Sequence, residues 1–76
     1  MTEQAWLNIF GDNLRDILKE YGYTQKQFAD ATNIPEYLIS LYINKKRMPT
    51  IKNLVNMSLE LGIDMDEFTV FDDRIY

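Results

Sequence analysis

The chain contains no cysteine and no histidine among its 76 residues, and both absences restrict its chemistry. Without cysteine it can form no disulfide and offers no thiolate to a metal ion. Without histidine it lacks the side chain that most often acts as a general base or metal ligand near neutral pH. The serines Ser40 and Ser58 therefore have no histidine to activate them. We expect a protein that is not an enzyme and that uses no catalytic residue, no metal and no cofactor.

Glycine and proline are scarce, with three and two residues, and no apolar run approaches the roughly 20 residues that cross a bilayer. Hydrophobic residues (46%) and charged residues (26%) have the proportions of a globular protein. No charged start followed by an apolar signal stretch opens the chain. We therefore expect a soluble, cytoplasmic protein with no membrane partner. Its length predicts one small domain over residues 1–76, with an N-terminal extension (1–9) and a C-terminal tail (69–76).

Apolar side chains recur at helical spacing over residues 10–21, which predicts a first helix. Gly22 is a favourable stop, because glycine adopts the left-handed conformation without a steric penalty. Four apolar residues precede or begin this helix: Trp6, Leu7, Ile9 and Phe10. They either extend the helix or cover the end of the bundle. We interpret them as extra core for a small domain, with dimerisation as the alternative.

The sequence TQKQ predicts a second helix over residues 24–32, because its threonine can cap the helix and Gln27 can complete a capping box. Asn33 tolerates positive φ and can turn the chain. Pro35 is favourable in the first turn of a third helix, because the N–H group that proline lacks would have no hydrogen-bond partner there. The polar run NKKRMPT ends that helix near Ile43.

Thr50 is a favourable cap for a fourth helix, which Gly62 closes. One face of that helix is predicted to comprise Ile51, Leu54, Val55, Ser58 and Leu61. A short fifth helix should follow from Asp64, with Met65 and Phe68 turned inward. The whole pattern predicts an all-α, five-helix fold. Only the tail FTVFDDRIY could pair as a strand with a partner.

The second and third helices are separated by a tight turn, so they must cross closely, and the small side chain of Ala29 permits this. The residues expected to pack at the crossing are Phe28, Ala29, Ile34, Ile39 and Tyr42. The opposite side of the third helix would then be free to enter a major groove of DNA.

A set of spaced residues carries the pattern of a known family. These residues are Arg15, Gly22, Thr24, Gln25, Ala29, Ile39, Asn44–Pro49, Leu54, Leu61–Ile63 and Asp66–Phe68. On them, the segment 14–68 resembles the lambda-repressor-like, XRE-type helix-turn-helix family of bacterial, phage and plasmid regulators. The resemblance implies a compact five-helix domain, in which helices two and three form the helix-turn-helix and which usually works as a dimer on operator DNA.

The resemblance also implies roles for particular residues. The third helix would lie in the major groove and present Glu36, Tyr37, Ser40 and Leu41 to the bases. Gln25 would contact a phosphate from the start of the second helix, a position that favours anions. The family commonly pairs through its last helix and tail, so the expected dimer interface comprises Val70, Phe71, Ile75 and Tyr76.

The charge distribution favours nucleic acid in spite of a net charge of -4. Residues 24–53 contain five bases and two acids, a net charge of +3, whereas the rest contains three bases and ten acids, a net charge of -7. Such segregation places positive charge where phosphate would lie. The full set of expected phosphate contacts is Gln25, Lys26, Asn44, Lys45, Lys46, Arg47 and Lys52.

The third helix departs from the family pattern. The family often has polar or basic residues at the positions of Pro35, Glu36 and Leu41, and a glutamate at that of Ile43. Glu36 can accept a hydrogen bond from cytosine, or it can simply stabilise the helix start. Leu41 and Ile43 can touch thymine methyl groups or form an exposed apolar spot that contacts a protein.

Two functions therefore remain open. The first is a DNA-binding transcription regulator, most simply a dimeric repressor of phage, plasmid or mobile-element type. The alternative is a protein-binding helix-turn-helix module, such as an antirepressor or antitoxin-like partner, which docks through Tyr37, Leu41 and Ile43. Fold alone does not distinguish them.

Overall fold

The computed structural model describes residues 2–69 and shows four α-helices followed by a short 3-10 helix. The α-helices are α1 (Glu3–Tyr21), α2 (Gln25–Thr32), α3 (Glu36–Ile43) and α4 (Ile51–Leu61), and the 3-10 helix spans Met65–Thr69. The all-α prediction is confirmed for these residues. The prediction of five α-helices is wrong, because the last element is a 3-10 helix of five residues, a geometry that occurs in short pieces of chain.

Threonine side chains begin three of the four α-helices. Thr2, Thr24 and Thr50 each accept a hydrogen bond from the backbone N–H three residues ahead. At α2 the side chain of Gln27 returns a bond to the Thr24 backbone, so the predicted capping box is confirmed. α1 begins earlier than residue 10, at Glu3, which confirms that the preceding apolar residues extend it. Pro35 precedes α3 instead of lying in its first turn.

Each α-helix is followed, within two residues of its last residue, by a residue with positive φ. These residues are Gly22 (φ 79°), Asn33 (58°), Lys45 (64°) and Gly62 (67°). After each, the next N–H bonds to the carbonyl five residues back, which closes a Schellman motif. The glycine and asparagine stops confirm the predictions. The predicted end of α3 near Ile43 is confirmed as well. The positive φ of Lys45 was not predicted, since lysine has a side-chain cost in the left-handed region that glycine lacks.

The core lies where the four α-helices and the 3-10 helix meet. Phe10 makes edge-to-face contacts with Tyr42 and with Phe68, each with ring centroids 5.8 Å apart. The five residues predicted at the helix crossing are all buried: Phe28, Ala29, Ile34, Ile39 and Tyr42. That prediction is confirmed, and it fixes which side of α3 faces outward.

Three residues predicted to face the core are exposed, and the first is Trp6 of α1, which exposes 37% of its surface. Ile51 exposes 80% of its surface, because it is the first residue of α4 and lies beyond the end of the face that this helix buries. Met65 exposes 43%, since the short 3-10 helix buries Phe68 in the core and leaves its own first residue at the edge. All three predictions were wrong.

Within residues 2–69 there is no strand, and none of the helices is both long and apolar enough to span a bilayer. The predicted dimer residues Val70, Phe71, Ile75 and Tyr76 lie outside the described residues.

Candidate nucleic-acid interface

The side of α3 opposite the core is open to solvent. Ile39 and Tyr42 point into the core, whereas Glu36 is exposed and Tyr37 exposes 63% of its surface. Ser40 and Leu41 are half-buried. At 3.6 residues per turn, Tyr37, Ser40 and Leu41 fall on the side away from the core. Glu36 lies at the edge of that side and is exposed in the first turn of the helix. α3 therefore presents one continuous outer face of mixed acidic, aromatic, hydroxyl and apolar character.

Ile43 does not belong to this outer face. It is half-buried and packs against the core. The expectation that Leu41 and Ile43 form one exposed apolar spot is therefore wrong. The reason is helical geometry, because Ile43 is one turn after the buried Ile39 and so points in nearly the same direction.

In the turn after α3, hydrogen bonds fix the backbone of the predicted phosphate-contacting run Asn44–Arg47. Asn44 is exposed, and its side-chain amide donates a hydrogen bond to the hydroxyl of Ser40 over 3.2 Å. Lys45 has positive φ, and the N–H of Lys46 bonds to the carbonyl of Leu41. Lys46 and Arg47 follow with exposed side chains. The run is thus positioned directly beyond the carboxyl end of α3.

A glycine in the middle of α1 allows this turn to pack closely. A Cβ atom at Gly11 would lie 2.8 Å from the carbonyl oxygen of Tyr42 and 2.9 Å from Cγ of Lys45. These distances are shorter than a carbon atom tolerates, so a glycine is needed here. Gly11 carries no signal in the sequence pattern, because a glycine inside a helix shows its purpose only when the neighbouring backbone is known.

The carboxylate of Asp12 lies between two basic side chains. Its Oδ1 is 2.9 Å from Nζ of Lys45 and 3.4 Å from Nη1 of Arg15. Arg15 also pairs with Asp16 through Nε at 3.3 Å. Lys45, one of the predicted phosphate contacts, therefore already has an anionic partner within the chain.

Gln25 lines an open surface cavity of about 320 Å³ between α1, the start of α2 and the end of α3. The cavity is lined by Arg15, Leu18, Lys19, Tyr23, Gln25 and Ile43. In the sequence, Arg15 and Lys19 lie outside the basic segment 24–53. The fold places them beside Gln25, so positive charge from α1 adds to the surface at the start of α2. Only the packing of α1 against α3 reveals this, because the residues are distant in the chain.

The remaining predicted phosphate contacts, Lys26 and Lys52, are exposed in the first turns of α2 and α4. In residues 2–69 no three acidic side chains are grouped so as to hold a metal ion.

A side-chain hydrogen bond to α4 holds the turn that precedes α2. The hydroxyl of Tyr23 donates to Oε2 of Glu60 over 2.6 Å. This bond to a carboxylate raises the pKa of Tyr23 above its ordinary value of 10.0, and burial and the negative charge of Glu60 add to the shift. The Tyr23 ring also stands edge-on to Phe28, with centroids 5.4 Å apart. The contact thereby connects the turn before α2 to α4.

Two short helices joined by a tight turn, with the second helix exposed along one side, define a helix-turn-helix protein. The model of the helix-turn-helix family HTH_3 matches residues 14–68, and the chain belongs to this family. That membership makes it a DNA-binding regulator of the helix-turn-helix class and not an enzyme. No curated protein sequence matches the chain significantly.

Three solved structures share the fold. The restriction-modification controller protein C.AhdI from Aeromonas hydrophila is 22% identical, with a TM-score of 0.79 over 84% of this chain and 97% of that one. An HTH_3 family transcriptional regulator from Vibrio cholerae is 18% identical, with a TM-score of 0.82 over 88% of this chain and 38% of that one. A hypothetical transcription factor, NHTF, from Neisseria is 17% identical, with a TM-score of 0.84 over 99% and 86%. At these identities the similarity is one of fold.

Proposed function

We propose that the chain is a sequence-specific transcription regulator that binds operator DNA as a homodimer and inserts α3 into the major groove. One observation carries the proposal: the outer face of α3 is open, and basic side chains follow it directly along the chain. A helix of this kind fits the major groove of B-DNA, and flanking cations neutralise the phosphates on either side.

The outer face of α3 supplies groups that can read base edges. The carboxylate of Glu36 can accept a hydrogen bond from the exocyclic amine of cytosine. The ring of Tyr37 and the methyl groups of Leu41 can contact a thymine methyl, and the hydroxyl of Ser40 can donate or accept. We expect this face to favour cytosine and thymine at the contacted positions.

Phosphate contacts would come from both ends of the helix-turn-helix. At the start of α2, Gln25 and Lys26 would bind one phosphate, favoured by the positive end of the helix. Beyond α3, the run Asn44–Arg47 would follow the backbone, with Lys52 in the first turn of α4 nearby in sequence. These contacts fix the register of α3 but carry no base preference of their own.

The proposal includes a dimer, formed through Val70, Phe71, Ile75 and Tyr76, because one domain of this size makes too few contacts to hold a site tightly. Two α3 helices about 34 Å apart would read a palindrome on one side of the duplex. Repression at an operator of a phage, plasmid or other mobile element, in the cytoplasm, is the simplest action for a regulator with this interface.

Selection of bound sequences from random duplex DNA at moderate salt tests the proposal. We expect a palindrome whose half-sites are separated by about one turn of DNA. The same selection with Tyr37→Ala should change the base preferred at one position in each half-site, whereas Lys26→Ala should recover the same sequence with weaker binding. Recovery of unrelated sequences, with no enrichment over the starting pool, would refute base-specific recognition.

The structure weakens the protein-docking alternative, because Ile43 packs against the core and leaves Tyr37 and part of Leu41 as the apolar share of the face. Leu41→Asp distinguishes the two functions. If the biological activity survives neutralisation of Lys46 and Arg47 but not Leu41→Asp, the docking function replaces the proposal. A DNA regulator should lose activity with either change.

A further inference from the structure

A single carboxylate on α1 holds two cations of the candidate interface. Asp12 Oδ1 pairs with Lys45 at 2.9 Å and with Arg15 at 3.4 Å. Lys45 belongs to the run that follows α3, and Arg15 lines the cavity beside Gln25. Asp12 therefore lies between two parts of the surface that the proposed function assigns to the DNA backbone.

The fold itself brings Lys45 to this carboxylate. The residue has φ 64° and its side-chain stem passes over Gly11, where a Cβ atom would be 2.9 Å from Cγ of the lysine. Its ammonium group then reaches the next residue of α1, which is Asp12. The backbone of α1 and of the turn after α3 therefore brings the two side chains together. The lysine contacts the carboxylate before any DNA is present.

We propose that Asp12 competes with a DNA phosphate for Lys45 and thereby limits the affinity of the protein for DNA. This inference rests on the proposed function. A carboxylate and a phosphate both seek the charge of the ammonium group, so DNA binding must weaken the existing pair. Once the lysine has turned to a phosphate, the carboxylate remains close to the DNA backbone and repels it.

The exchange is possible because the pair is partly exposed. The Lys45 and Asp12 side chains retain 35% and 45% of their accessible surface, and ion pairs in such positions contribute little to stability. Asp12 is thus a positioning residue that tunes binding, and its removal should leave the fold intact.

The experiment measures binding to a mixed-sequence DNA duplex at low ionic strength, because the competition concerns phosphates and needs no particular base. The proteins are the unmodified chain, Asp12→Asn, Lys45→Gln and the double variant. Asp30→Asn is the matched control, since Asp30 is exposed on α2 and makes no ion pair within residues 2–69. Thermal melting of each variant verifies the fold, and Asp12→Ala repeats the test with a second side chain.

We expect Asp12→Asn to bind about two- to fivefold more tightly than the unmodified chain, in line with the worth of an exposed ion pair. Asp30→Asn should have a smaller effect. In the Lys45→Gln background, Asp12→Asn should gain less than it does in the unmodified chain, because only Arg15 remains to be released.

An equal gain in both backgrounds would show a general charge effect and overturn the inference. Weaker or unchanged binding by Asp12→Asn would overturn it as well, since the carboxylate would then orient the lysine for DNA or have no influence on it. These two results leave the proposed function standing. If none of the proteins binds the duplex even at low ionic strength, the inference is refuted, whereas the proposed function is refuted only if the selection from random DNA also recovers no sequence.

Discussion

The side-chain amide of Asn53 donates a hydrogen bond to the hydroxyl of Tyr42 over 3.0 Å and so connects α4 to α3. The ring of Tyr42 is almost fully buried and stands edge-on to Phe10 of α1. One side chain on the inner face of α3 therefore contacts both helices that support it. The orientation of the outer face depends on this anchor.

Replacing Tyr42 with phenylalanine should remove the hydrogen bond and keep the ring contact. We expect a loss of about 0.5–1.5 kcal/mol in the free energy of unfolding, because Asn53 loses a partner in a partly buried position. Urea denaturation measures the change. Tyr21→Phe, at an exposed position on α1, should alter the free energy by less. Equal effects of the two changes would contradict the anchoring role of Tyr42.

Gly11→Ala should destabilise the fold although alanine is the better helix former. The added Cβ would lie 2.8 Å from the carbonyl oxygen of Tyr42, a backbone atom that cannot move without shifting the end of α3. Overpacking of this kind costs about 1–3 kcal/mol, which exceeds the gain in helix propensity of about 1 kcal/mol. A lower melting temperature is expected. Glu20→Ala, at an exposed position of the same helix, should leave it nearly unchanged.

Arg47→Ala should weaken binding to all DNA sequences alike and reduce the slope of log affinity against log salt by about one unit, because one phosphate contact is lost. Titrations at several salt concentrations measure the slope. Glu36→Gln on α3 should behave differently, with an altered base preference and an unchanged slope. An Arg47→Ala variant with the slope of the unmodified chain would remove this residue from the phosphate-contacting set.

The hydrogen bond from Tyr23 to Glu60 should make stability fall at alkaline pH. The folded chain holds the phenolic proton more tightly than the unfolded chain, because the pKa of Tyr23 is raised from 10.0. The stabilisation is therefore complete below pH 10 and is lost as the pH rises through the raised pKa. In denaturation experiments, Tyr23→Phe should be less stable than the unmodified chain at neutral pH, and the difference should shrink above pH 10. A constant difference across that range would contradict the assignment.

The local structure was predictable because its causes are local. Capping threonines, a capping box and the residues that tolerate positive φ mark the helix ends at Thr24, Gly22, Asn33 and Gly62. The helical spacing of apolar residues predicted the buried set of the α2–α3 crossing. The sequence also predicted the helix-turn-helix family and the side of α3 that faces outward. The helix ends and the buried faces depend on neighbours within a few turns of chain, whereas the family was recognised from residues spaced over 14–68.

Tertiary structure decided the features that join distant residues. It turned the expected fifth helix into a 3-10 turn, exposed Ile51 and packed Ile43 against the core. It also placed Asp12 beside Lys45 and required glycine at position 11, where α1 meets the end of α3. The pair of Asp12 with Lys45 and the need for Gly11 do not follow from periodicity or composition, because a side chain's neighbours across the bundle depend on how closely two helices approach. The sequence by itself therefore determined where the helices lie and which faces are apolar, whereas packing determined which charges meet.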